Sequence, residues 1–260
     1  MKAIVTTGRK HSEAAINLAI HTAAKTGIAY VPRNGSSLQF LRQETQADYV
    51  LVAKQGQLKL ATPAGEFFFH PNLAQLRLKN LLLGKEDHLV AAMCLEEGMS
   101  VLDCTLGLGA DAIVASFAVG ESGKVTAIES EPLIEAVVSY GLAHYLACNY
   151  HLHRSMRSIE TKCAEALAYL REQPDNSFDV VYFDPMFRHP LTESKSLDPL
   201  RGIANPSPLS LETITEAKRV ARRRVVLKEN RLSTEFRRLG FTTVTGGRYS
   251  KIAYRVFPIV

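Results

Sequence analysis

Val101-Leu102-Asp103-Cys104-Thr105-Leu106-Gly107-Leu108-Gly109-Ala110-Asp111-Ala112 joins an apolar strand pattern to a helical one through two glycines. Glycine enters left-handed backbone without steric cost, so such a turn brings the main chain close to a ligand where a helix begins. Glu129 ends the next strand pattern, twenty residues after Gly109. A carboxylate at that point can take both hydroxyls of a ribose. The stretch therefore predicts a strand–turn–helix that binds a nucleoside.

Outward from it the alternation is regular. Helix 86–96, strand 100–103, helix 110–118, strand 124–129, helix 132–148, extended 157–162, helix 164–171 and strand 178–183 follow with short joins. Helix 209–221, strand 224–228, helix 231–239 and a hairpin turning at Gly246-Gly247 close the chain. Strands separated by helices of about ten residues mean βαβ units and a parallel sheet, and the two-glycine turn adds an antiparallel edge. The expected class is α/β, with a Rossmann-like sheet over residues 73–260. Residues 1–72 read as a small N-terminal α/β domain. Ala3–Thr7 is strand-like, Ser12 caps a helix ended by Gly27, a short helix lies near Ser37–Gln43, and a Lys54-Gln55-Gly56 tip joins two further strands. The 25 residues from Asp184 to Pro208 carry no such pattern, and a loop that long is usually functional.

The composition is that of an ordinary globular chain: 260 residues, 46% hydrophobic and 22% charged. No apolar run is long enough to span a bilayer and the start lacks a cleavage signal, so a cytoplasmic protein without membrane or metal partners is expected. The four cysteines form no C-x-x-C and read as reduced core residues. The net charge of +5 divides unevenly: +4 over residues 1–70, −8 over 71–200 and +9 over 201–260. Two basic ends around an acidic middle suit an anionic polymer partner as well as a solvated surface. Arg9 and Lys10 can grip a phosphate. Lys218, Arg219, Arg222, Arg223, Arg224, Arg231, Arg237 and Arg238 form either an RNA-binding face or plain surface.

Asp103 closes its strand, and three residues intervene before the first glycine, Gly107. A carboxylate there repels a pyrophosphate, which argues against a dinucleotide, but suits a cationic amino-acid head. The pattern D-x-x-x-G-x-G, followed by an acid ending the second strand, resembles the first two motifs of class I S-adenosylmethionine-dependent methyltransferases, whose sheet has seven strands and ends in an antiparallel hairpin. Asp184-Pro185-Met186-Phe187, after the buried-strand pattern Phe178–Phe183, resembles the (Asp/Asn)-Pro-Pro-(Tyr/Phe) signature of enzymes that methylate exocyclic amines of bases. Such an amine attacks poorly because its lone pair is delocalised into the ring. The Asp184 carboxylate and Pro185 carbonyl can each accept one N–H, and Phe187 can stack on the base.

Together the two stretches are similar to the ribosomal RNA small subunit methyltransferase J family, which methylates guanine N2 in small-subunit rRNA. The resemblance implies S-adenosylmethionine as cofactor, held by Asp103, Thr105, Gly107, Gly109, Asp111, Ala112, Glu129 and Ser130. Cys163 and Ala164 would lie beside the adenine, and Asp184, Pro185 and Phe187 at the acceptor amine. It also implies rRNA or the small ribosomal subunit as partner of a monomer or homodimer. Arg188-His189-Pro190 departs from the Pro-His-Lys expected after the acceptor motif, and the first seventy residues do not share the family pattern. An acceptor in DNA, a small-molecule amine, and a non-catalytic rRNA-binding assembly factor stay open.

Overall fold

The computed structural model describes residues 2–185, 195–245 and 250–259. The chain forms two compact units, each discontinuous in sequence.

The first comprises Met1–His70, Glu131–Leu146 and Leu191–Ala204. Its sheet has the order β1 (Ala3–Thr7), β2 (Tyr49–Lys54), β3 (Gln57–Thr62), β4 (Gly65–Phe68), with β1 and β2 parallel and the other pairs antiparallel. Helix α1 (Glu13–Thr26) starts where Ser12 Oγ accepts the Ala15 N–H, and stops at Gly27, whose φ of 70° is left-handed. Helix α2 (Leu38–Thr45) is capped in the same way by Ser37. A later helix, α6 (Pro132–His144), packs on β3. A Cβ on its Gly141 would stand 2.1 Å from Cγ of Phe69, so only glycine allows that approach.

The second unit comprises Pro71–Ser130, Ala147–Pro190 and Asn205–Val260. Its strands are β5 (Ser100–Asp103), β6 (Lys124–Glu129), β7 (Ile159–Cys163), β8 (Phe178–Phe183), β9 (Ala221–Asn230), β10 (Thr243–Thr245) and β11 (Ile252–Pro258). They lie in the order β10-β11-β9-β8-β5-β6-β7, parallel from β7 to β9, with β11 antiparallel to both its neighbours. Strand order reverses between β5 and β8. Open α/β sheets bind ligands outside the strand ends at such a point. The helices are α3 (Asn72–Leu82), α4 (His88–Met93), α5 (Ala110–Val119), α7 (Tyr150–Arg157), α8 (Ala166–Glu172), α9 (Leu211–Val220) and α10 (Glu235–Arg238). Leu102, Ile128, Val181, Phe183, Val225 and Leu227 are fully buried, as continuous apolar runs in a covered parallel sheet must be.

The seven-stranded sheet and antiparallel end agree with the sequence expectation; the Gly246-Gly247 turn lies outside the described residues. Several details differ. The helix expected over 132–148 ends at His144, and α7 begins after Asn149, whose Oδ1 accepts the Leu152 N–H. Strand β9 starts at Ala221, directly after α9 and three residues before the expected start, so Arg222 and Arg223 lie on the strand with Arg224. Within the loop after Asp184 a 3₁₀ turn forms at Lys195–Leu200. Of the four cysteines only Cys104 is buried; Cys94 ends α4 in left-handed backbone at the surface, and Cys148 and Cys163 are exposed.

Candidate active site

The carboxyl ends of β5, β6, β8 and β9 present Asp103, Glu129, Asp184 and Lys228. Parallel pairing aligns these ends: Asp103 is paired with Ala127 of β6 and Tyr182 of β8. Gly107 (φ 49°) and Gly109 (φ 76°) are both left-handed, and Gly109 is the N-cap of α5. The Gly107 N–H donates to Glu129 Oε2 at 3.1 Å, and Ser130 Oγ donates to Oε1 at 3.4 Å. The acid at the end of the second strand thus meets the glycine turn. Beside it the Ala164 N–H donates to the Glu129 carbonyl at 2.9 Å, which places Cys163 and Ala164 next to the same turn.

Thr105 ties the first strand end to the fourth. Its hydroxyl donates to Asp103 Oδ1 at 3.2 Å and accepts the Asp184 N–H at 2.7 Å. Its own N–H donates to Asp103 Oδ1 at 2.9 Å. Burial pushes Asp103 up to about 7, with the charges of Asp111 and Asp184 adding to the shift and the Thr105 bonds opposing it.

Asp111 and Asp184 share one ammonium. Lys228 Nζ donates to Asp111 Oδ2 at 2.8 Å and to Asp184 Oδ2 at 2.6 Å. Asp111 also accepts from the Tyr182 hydroxyl at 2.7 Å and from Arg77 Nη1, and Arg77 in turn forks onto Asp87. Burial would raise Asp111, but Lys228 and Arg77 outweigh it and hold the carboxyl well below its usual range. Asp184 has less help: burial carries it up to about 6 against Lys228, and Asp111 adds to the rise. Lys228 is partly buried and remains an ammonium, because two carboxylates outweigh its desolvation.

Among the expected site residues, these bonds join Asp103, Thr105 and Asp184 in one set and Gly107, Glu129, Ser130 and Ala164 in another, while Gly109 opens α5 after the same turn. The Asp111 carboxylate is turned to Arg77, Tyr182 and Lys228, and Ala112 is buried in the first turn of α5. Pro185 follows Asp184 at the strand end; Phe187 and His189 lie outside the described residues. Sequence reading missed Lys228, Tyr182 and Arg77. Only Lys228 left a trace, a charge directly after the apolar run Val225-Val226-Leu227. Among the described residues, no cluster of His, Cys, Asp or Glu is arranged to hold a metal ion, and no helix is long and apolar enough to cross a membrane.

Two carboxylates, Asp111 and Asp184, share Lys228, Asp103 feels the charge of both, and Asp103 and Asp184 are raised by burial and mutual repulsion. That donor set fits a cationic ligand with a ribose, and S-adenosylmethionine carries a sulfonium, an ammonium and a ribose. Sheet order, glycine turn and strand-end acids together define a class I S-adenosylmethionine-dependent methyltransferase. The chain belongs to the family described as "Putative SAM-dependent methyltransferase", whose model matches residues 35–241. S-adenosylmethionine is its cofactor.

Among relatives, the uncharacterized protein YpiP of Bacillus subtilis is 40% identical over 93% of this chain and 94% of its own length. Ribosomal RNA small subunit methyltransferase J of Laribacter hongkongensis is 32% identical over 51% of this chain and 47% of its length. The same enzyme of Aliivibrio fischeri is 35% identical over 44% of this chain and 45% of its length. The chain thus spans about half of those two rRNA enzymes. A methyltransferase structure from Neisseria gonorrhoeae shares the fold, with a TM-score of 0.65 at 20% identity over 98% of this chain and 95% of that one.

Proposed function

We propose that this methyltransferase modifies an exocyclic base amine, the N2 of a guanine in small-subunit rRNA. The observation that carries the reading is the Asp184-Pro185 pair at the end of β8, with the Asp184 backbone fixed by Thr105 and one carboxylate oxygen fixed by Lys228. Among the described residues Lys228 bonds Oδ2 and none bonds Oδ1, which would accept an incoming N–H. The Pro185 carbonyl takes the second N–H, and proline brings no competing donor of its own. Two acceptors in place draw electron density onto the nitrogen and aim its lone pair, so most of the rate enhancement comes from positioning.

S-adenosylmethionine supplies the electrophilic methyl group. Once the nitrogen carries a fourth bond it must shed a proton, and Asp184, raised to about 6, accepts it better than an ordinary carboxylate would. Asp103 would face the cofactor's ammonium, Glu129 its ribose, and Phe187 would stack on the base. The partial matches to ribosomal RNA small subunit methyltransferase J support rRNA as substrate class, and a cytoplasmic location goes with it.

The test is a transfer assay with methyl-labelled cofactor and four acceptors in parallel: 16S rRNA, small subunits, duplex DNA and free guanosine. Label in rRNA or subunits is expected. Transfer to DNA or guanosine at the same rate would move the reading to another amine, and no transfer to any would favour a binding protein that has lost catalysis.

A further inference from the structure

We propose that the carboxyl ends of β1 and β2, in the first unit, form a phosphate-binding site of Arg9, Lys10, Arg33 and Lys54 whose occupant is an RNA phosphodiester. The choice of RNA rests on the function proposed above; the anion chemistry stands apart from it.

Residues Thr6-Thr7-Gly8-Arg9-Lys10 leave β1 and lead to Ser12, the N-cap of the fourteen-residue α1. Because β2 runs parallel to β1, Lys54 ends its strand beside the same turn. The Gly8 N–H donates to the Ala53 carbonyl at 2.9 Å. A Cβ on Gly8 would lie 3.3 Å from Cγ of Lys54, so the lysine stem lies across a turn that glycine keeps low.

Arg33 completes the group. Its Nη1 donates to the Thr7 carbonyl at 3.1 Å and its Nε to the Ser36 carbonyl at 2.6 Å. The side chain is nearly buried, and a buried guanidinium is normally matched by a carboxylate because desolvating an unpaired charge is costly. Among the described residues, no ion pair joins Arg9, Lys10, Arg33 or Lys54 to a carboxylate, and Glu13, the acid in the first turn of α1, is exposed. Burial and the charge of Arg9 both press the Arg33 pKa down, the response of a cation that lacks its counter-charge. Next to it, Thr7 Oγ1 is buried and without a hydrogen-bond partner among the described residues. A bound phosphate would supply the missing negative charge and acceptor oxygens. Guanidinium groups match such oxygens in pairs, and the lysines add point charges.

Arg9 and Lys10 are exposed, so Arg9→Gln/Lys10→Gln in the full chain removes two cations while keeping the bonds of Arg33. Affinity for a 16S rRNA fragment is measured across a salt series, and melting temperature is followed with added inorganic phosphate and pyrophosphate. The double variant is expected to flatten the log affinity against log salt slope by about 1–2, with unchanged affinity for S-adenosylmethionine. If the slope stays while a phosphate-induced rise in melting temperature is lost, the site is upheld and its occupant is free phosphate rather than RNA. If neither moves, the site is overturned. A wild-type protein with no RNA affinity would sink the substrate reading, and the phosphate titration alone would then decide the site.

Discussion

Lys228 holds two largely buried carboxylates at once, and its loss separates their fates. Lys228→Met leaves Asp111 with Arg77 and Tyr182 but leaves Asp184 without its ammonium. Removing one partner of a buried ion pair costs about 3–5 kcal/mol. The Asp184 carboxyl should then rise above its present value of about 6, so the acid limb of the activity profile should move to higher pH in this variant. A limb that stays put would mean that Asp184 ionisation does not limit the rate. Thr105→Val keeps the shape but strands the Asp184 N–H and a lone pair of Asp103, so a lower kcat is expected with little change in cofactor affinity. Glu129→Ala should weaken S-adenosylmethionine binding by at least about tenfold, since hydrogen bonds to a charged acceptor are worth ~1.5–3 kcal/mol each; calorimetry reads it directly. Asp103, Glu129 and Asp184 were legible in the sequence because each ends a strand beside a turn. Lys228 was not, because its partners are 44 and 117 residues away and meet it only through the sheet order.

At the level of elements, the existence of the strands of the parallel sheet followed from buried apolar runs and the helices between them. Boundaries failed where a side chain overrode the pattern. Asn149 restarts a helix where apolar periodicity had run on, and the arginines after α9 masked the start of β9. Arg222 and Arg223, with Arg219 of α9, are engaged within their own unit. Arg222 donates to the Asn176 carbonyl at 2.6 Å and to Asp179 Oδ1 at 3.3 Å, Arg223 pairs with Glu96, and Arg219 pairs with Asp175 and Glu216. Asp179 also accepts from Ser100, so Arg222 supports the start of β5 as well. Arg222→Glu places like charges at Asp179 and should lower the melting temperature by several degrees, because each kcal/mol lost shifts a domain of this size by about 2–4 °C. The expectation of an RNA-facing arginine surface predicts a stable variant with a flatter salt dependence instead. A thermal scan beside a salt series separates the two.

Across the whole molecule, the raised carboxyls couple stability to pH. A carboxyl raised in the folded state binds its proton more tightly there than when unfolded. The resulting stability is complete below the ordinary carboxylate pKa of about 4 and is lost as pH rises through the folded value. With Asp184 at about 6 and Asp103 at about 7, the cofactor-free protein should melt at progressively lower temperature from pH 5 to pH 8. Asp103→Asn should remove most of that slope. A cationic ligand favours the ionised acids, so S-adenosylmethionine should bind more tightly at pH 8 than at pH 6, with proton release at the lower pH visible by calorimetry in buffers of different ionisation enthalpy. The central claim, that Asp184 orients an rRNA guanine amine for methyl transfer, is tested most directly by one comparison. Wild type and Asp184→Ala are given labelled cofactor and 16S rRNA, the RNA is digested to nucleosides, and N2-methylguanosine is measured by mass spectrometry beside each protein's cofactor Kd. The account predicts N2-methylguanosine from wild type and a loss of at least about a hundredfold in kcat in the variant, with cofactor Kd changed far less. An active variant, equal losses in both quantities, or a methylated nucleoside other than N2-methylguanosine would contradict it.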